Sequence, residues 1–190
     1  MVSERLRVQD WRSALITIIV GVVGAAIFVL VNAIPMPFKM VSLLKFGLAP
    51  ALAIIAVVGG IRGPLAGLIT GYLGVIAFDL LIHNVIVLLT LPALAYGVLG
   101  LVVGMASYDF SRGRSLGKLS LLAAIGLVFT SLLLVVFGLF VGQISALAEI
   151  GFVMLPLLTT GLPSVILLTP ILARLWLVLS QRVQLQRQPV

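Results

Sequence analysis
The chain has no cysteine and a single histidine, His83, in 190 residues. Without cysteine there is no disulfide framework, thiolate nucleophile or Cys-ligated metal, and one histidine excludes a His-rich metal site. Charge is scarce as well. Asp, Glu, Lys and Arg make up 9% of the residues, against about 25% in an ordinary soluble domain. So few polar groups cannot cover a water-soluble sphere of this size. Composition therefore argues against a soluble enzyme, a nucleic-acid binder or a disordered chain.

What is present is apolar: 62% of the residues are hydrophobic. They fall in runs of about 18 or more, separated by short polar joints, the pattern of a polytopic helical membrane protein. A β-barrel would alternate apolar and polar residues over about ten positions, and these runs do not alternate. The expected fold is all-α, with six transmembrane helices in one membrane domain over residues 14–179. A basic stretch, residues 1–13, precedes it and a basic tail, residues 180–190, follows.

The six segments are expected at about Ala14–Ile34, Leu43–Gly60, Pro64–Ile82, Val85–Ser107, Leu119–Val141 and within Ile150–Leu179. Pro35 and Pro37 end the first, because proline removes a backbone donor and blocks helix continuation. Pro64 takes a first-turn position in the third, where proline is favourable. Pro156, Pro163 and Pro170 are expected to kink the last. The first run is longer than a signal-peptide core of about 7–15 residues, so it is expected to be retained.

The net charge of +7 finds its explanation in topology. With both termini in the cytoplasm, Arg5, Arg7, Arg12, Arg62, Arg112, Arg114, Lys118, Arg174, Arg182 and Arg187 fall inside, and only Lys39 and Lys45 fall outside. This positive-inside asymmetry requires an even number of spans. It accounts for the net charge through contact with lipid, without invoking nucleic acid.

Ionisable residues inside apolar runs are expensive and tend to be functional. Asp79 and His83, four apart on one helix face, close the third segment. Lys45 lies near the outer end of the second and Asn32 at the outer end of the first. Gathered at one membrane face, these four are the expected substrate-binding residues, since a pocket needs a few convergent polar groups in an apolar wall. Asp79 and Lys45 could instead pair with each other. Gln143 and Glu149 are expected in a loop, where helix-end polar residues reach the interface and do nothing else.

Ser13, Thr17, Gly21 and Ala25 recur every four residues in the first segment. Small residues at this spacing let a second helix approach closely in lipid. The alternatives are packing within the bundle and docking of a partner protein, and docking is the expectation carried forward. Gly63, Gly67 and Gly71 form a second such face, read as internal. Arg112-Gly-Arg-Ser-Leu-Gly-Lys118 is only superficially like a phosphate-binding loop: the motif needs glycine at 112 and Ser or Thr at 119, and no strand precedes it. The chain thus carries no recognisable ATPase motif, and no catalytic residue or cofactor is expected.

Taken together, these residues resemble the substrate-binding S components of energy-coupling factor (ECF) vitamin transporters. The resemblance spans nearly the whole chain. It includes the small-residue ladder Gly21-Val-Val-Gly-Ala25, with glycine where the family's Ala-x-x-x-Ala has its first alanine. It includes Gly59-Gly-Ile-Arg-Gly-Pro64-Leu-Ala-Gly67, leading through Gly71 and Gly74 to Asp79. It also includes Leu91-Pro-Ala-Leu-Ala-Tyr-Gly-Val-Leu-Gly100. The resemblance implies capture of a vitamin or related micronutrient at the outer face. It also implies partnership with a transmembrane coupling protein and two cytoplasmic ATPases. The chain is similar, too, to the six-span scaffold subunits of the bacterial cell-shape machinery, which bind other membrane proteins and have no need of an outer polar cluster.

If capture is the function, Asp79→Ala should weaken small-molecule binding in an equilibrium binding assay. Unchanged affinity would make Asp79 a structural residue.

Overall fold
The computed structural model describes residues 11–34, 39–41, 44–84, 91–141 and 145–186. Helix α1 is Trp11–Ala33. A two-stranded antiparallel hairpin follows, β1 Lys39–Val41 and β2 Leu44–Phe46, with Met40 opposite Lys45. Helix α2 is Pro50–Arg62 and α3 is Pro64–Phe78, extended by a π-helical turn, Asp79–His83. Helix α4 is Leu91–Gly104 and α5 is Gly113–Val141. A four-residue helix α6, Ala146–Glu149, leads through a π-turn, Ile150–Met154, into α7, Leu155–Gln186.

The helical class expected from the sequence is thus present, with one addition and several changed lengths. The hairpin is the addition: Lys45 sits on β2 and not in a membrane helix, which begins only at Pro50. Among the described residues four helices are long and apolar enough to cross a membrane, Trp11–Ala33, Pro64–His83, Gly113–Phe140 and Leu147–Arg182, whereas Pro50–Arg62 and Leu91–Gly104 are apolar but shorter. Helix α5 starts six residues earlier than Leu119, and α7 runs through Pro163 and Pro170. The prolines Pro35 and Pro37, the basic residues Arg5, Arg7 and Arg187, and Gln143 lie outside the described residues.

Helix α2 is the centre of the bundle. It is apolar on every side, the composition of a helix surrounded by protein. Its Ala51, Leu52, Ala53, Ile55, Ala56 and Val57 are all buried. Around it stand α1, α3, α4 and α7, with α5 closing the gap between α4 and α7. The outer faces of the long helices remain apolar and exposed, as at Ile18, Val22 and Ile27 of α1, Leu121, Phe129 and Leu132 of α5, and Ile166, Leu167 and Trp176 of α7. That inversion suits a lipid surround, where an exposed apolar face has no cost to avoid.

In lipid, helices are held by close packing and interhelical hydrogen bonds, and both occur here. A Cβ added at Gly67 of α3 would stand 2.5 Å from the carbonyl oxygen of Gly100 of α4, and one at Gly59 of α2 would meet the same oxygen at 2.5 Å. Three backbones therefore converge on Gly100. The Gly67–Gly71 face read from the sequence is internal, as expected: Gly71 lies against the backbone of Tyr96. The Thr70 hydroxyl donates to Gly21 O at 3.1 Å, tying α3 to α1, and that of Thr130 donates to Ala95 O at 2.9 Å, tying α5 to α4. Ser164 of α7 accepts from the Ala49 N–H at 2.6 Å, capping the start of α2.

The α2–α3 corner turns at Gly63, whose φ of 112° lies in the region open to glycine. At the same end Tyr108 donates to Val103 O at 2.7 Å, and its partial burial pushes the phenol well above its usual range. Asp109 accepts from the Ser111 hydroxyl at 2.6 Å and lies 3.0 Å from Arg112; the serine's hydrogen bonds, more than the arginine, hold its carboxyl below the usual range.

Gly100→Ala should lower stability by about 1–3 kcal/mol, the usual cost of overpacking, because its Cβ would press on the Gly67 backbone of α3. Thr169→Val should be neutral or stabilising, since the buried Thr169 hydroxyl has no hydrogen-bond partner among the described residues. Thermal unfolding of the detergent-solubilised protein would measure both.

Candidate functional site: a cavity at the shared end of the helices
Helices α2 and α4 span only about 20 Å each at 1.5 Å per residue, well short of their neighbours. Their first residues meet the last turns of α1, α3 and α5 around a cavity of about 610 Å³. Ala49, Ala51 and Leu52 line it from the start of α2, and Leu91, Pro92 and Tyr96 from the start of α4. Phe28 and Asn32 come from α1, Val75, Phe78 and Asp79 from the end of α3, and Leu134, Phe137 and Gly138 from the end of α5. Glu149, Val153 and Leu157 come from α6 and the segment leading into α7.

Two of the four residues expected to bind substrate reach this wall. Asp79 lines it, and Asn32 contributes from an exposed position at the rim. His83 does not line it. The histidine is exposed on the π-turn, with Nδ1 3.1 Å from Asp79 Oδ1 and its ring edge-on to Phe78 at 5.2 Å. Its role in the structure is to hold Asp79 from outside. The expected i, i+4 relation between the two is met, although the turn has widened from α to π geometry. For Lys45 the structure gives the backbone alone, opposite Met40 in the hairpin. The expectation that it projects from a membrane helix is corrected, because Pro50 and not Leu43 opens α2.

Glu149 is the residue that the sequence reading misplaced. It was expected in a loop at the interface. It is 5% exposed and lines the cavity. Its seat is Gly138 of α5: a Cβ built there would fall on the Glu149 carboxylate. Among the described residues no hydrogen-bond donor or basic group partners that carboxylate. The only signal in the sequence was Gly138, in an otherwise bulky run, Leu134-Val-Val-Phe-Gly138-Leu-Phe; its pairing with Glu149 across a loop is not readable from spacing.

The small-residue stripe of α1 also takes a different role from the one carried forward. Thr17, Gly21 and Ala25 are buried, and a Cβ at Gly21 would stand 2.7 Å from Ile69 of α3. At its foot, Arg62 Nε donates to Thr17 Oγ1 at 3.2 Å and Nη2 donates to Ser13 O at 3.1 Å and Ser13 Oγ at 3.2 Å. The face expected to meet a coupling protein is occupied within the chain, which is the internal-packing alternative.

These features define a class: a helical protein with lipid-compatible flanks and a sizeable hollow, acid-bearing and aromatic-walled, at one end of the bundle. Comparison with protein-family models, with curated proteins and with solved structures gave no match.

The Gly138–Glu149 seat is testable. Gly138→Ala should cost about 1–3 kcal/mol through overpacking, and Glu149→Ala in that background should recover most of the loss. A thermal-unfolding double-mutant cycle that instead proved additive would show that the two residues do not meet.

Proposed function
We propose that the protein captures a small molecule and does no covalent chemistry on it. In this reading it is a six-span subunit of a prokaryotic cell membrane with both termini in the cytoplasm. The cavity opens toward the outer face, and delivery is completed by a separate transmembrane coupling protein and two cytoplasmic ATPases, as in the S components it resembles. The observation that carries the reading is the cavity. At about 610 Å³ it falls within the range of about 300–1,000 Å³ usual for ligand pockets, and its wall is mostly apolar with a few polar groups, as such pockets are.

Charge placement supports the orientation. Arg62 joins the start of α1 to the end of α2, and Gly104 of α4 abuts Pro64 of α3. These ends, with Arg112, Arg114 and Lys118 beside them in sequence, lie opposite the cavity. That is the end a positive-inside arrangement puts in the cytoplasm. The two shorter apolar helices complete the count of six. Each crosses only part of a hydrocarbon core of about 30 Å, within a ring of longer helices. A coupling partner would meet one of the helix faces that remain exposed. The cell-shape scaffold is the weaker reading, because a subunit that only binds other membrane proteins has no use for such a hollow.

Native mass spectrometry of the protein purified in mild detergent tests the proposal. The expected spectrum shows a small-molecule adduct, one per chain, removed by collisional activation. A chain that emerges empty, whatever the growth medium, would count against capture.

A further inference from the structure
Resting on the capture reading, we infer that the cavity selects a small organic cation, its charged nitrogen seated on Glu149 and its apolar body held among the aromatic side chains. Three observations carry this. First, the wall carries two carboxylates, Asp79 and Glu149, and among the described residues no lining residue is basic. Second, Glu149 is 5% exposed and lines the hollow, and its carboxylate accepts no hydrogen bond from the described residues. A carboxylate held in a mostly apolar wall gains from a counter-charge brought to it. Third, the wall carries Phe28, Phe78, Tyr96 and Phe137, and aromatic faces attract cations, more strongly where water is excluded.

The helix ends do not alter the sign. Helices α2, α4 and α7 begin near the cavity while α1, α3 and α5 finish there. Three positive and three negative dipole ends therefore oppose one another, and the net charge comes from the side chains. The two carboxylates are not equivalent. Asp79 already has a hydrogen-bond partner in His83 at 3.1 Å, so Glu149 is the carboxylate left without one among the described residues. Gly138 keeps the space for its carboxylate, and a bulkier residue there would close the seat. Lys39 and Lys45 are the cations on the neighbouring hairpin; control of the cavity by either would reverse the preference.

The test uses three isosteric probes, tryptamine, tryptophol and indole-3-propanoate, titrated at pH 7 against the full-length protein in nanodiscs and read by calorimetry and native mass spectrometry. Wild type should bind tryptamine at least about tenfold more tightly than the other two, the scale expected when a buried charge finds its partner. Glu149→Gln should erase that advantage. Equal or better binding of tryptophol, or a preference for indole-3-propanoate, would overturn the cation inference and leave capture standing. Saturable binding of none of the three would count against capture itself. The preference of wild type among the probes decides the matter even if Glu149→Gln fails to fold. A tryptamine advantage that survives in folded Glu149→Gln would remove Glu149 from its assigned role.

Discussion
A helix too short to cross the bilayer sits at the centre of this bundle, and much else depends on it. Helix α2 has 13 residues, about 20 Å of rise. It can exist in an apolar surround because longer helices enclose it and satisfy its start, where Ser164 of α7 accepts from the Ala49 N–H. A hollow of about 610 Å³ lies at its first turn, lined by apolar, aromatic and acidic side chains. An empty void in a packed interior costs contacts on every side.

Close backbone packing makes this possible. Gly59, Gly67 and Gly100 bring three helices together with no side chain between them, and hydroxyls such as Thr70 and Thr130 bridge helices to backbone carbonyls. These contacts lie toward the end opposite the cavity or at mid-bundle. One half of the bundle is tightly knit, and the other spreads around a hollow closed by longer aromatic and aliphatic side chains. The arrangement separates a close-packed base from a hollow end. The carboxylate of Glu149 lines the hollow half.

Much of the fold was legible in residue order. The length of the apolar runs announced helices in lipid, and Gly63–Pro64 marked the corner between α2 and α3. The Gly67–Gly71 spacing marked an internal face. Asp79 stood out because a charge in an apolar run is conspicuous. The errors share one physical cause. Hydropathy records how apolar a stretch is but not whether lipid or protein surrounds it. Leu43–Gly60 therefore read as one segment, although its first residues pair in a hairpin. For the same reason the Thr17–Gly21–Ala25 stripe could serve an internal or an external neighbour, and only Ile69 and Arg62, far along the chain, decide between them.

The sequence by itself determined the long apolar helices and the scarcity of charge: without cysteine and with one histidine, it offers neither a disulfide framework nor a His-rich cluster. Tertiary structure alone decided which polar residues share a cavity. Asp79 and Glu149 are 70 positions apart in residue number, and His83, four residues from Asp79, turns out of the wall. A binding site is made by convergence from different helices, and convergence depends on where each helix ends and what packs beside it. Those quantities are set by contacts between distant segments, which no local pattern encodes.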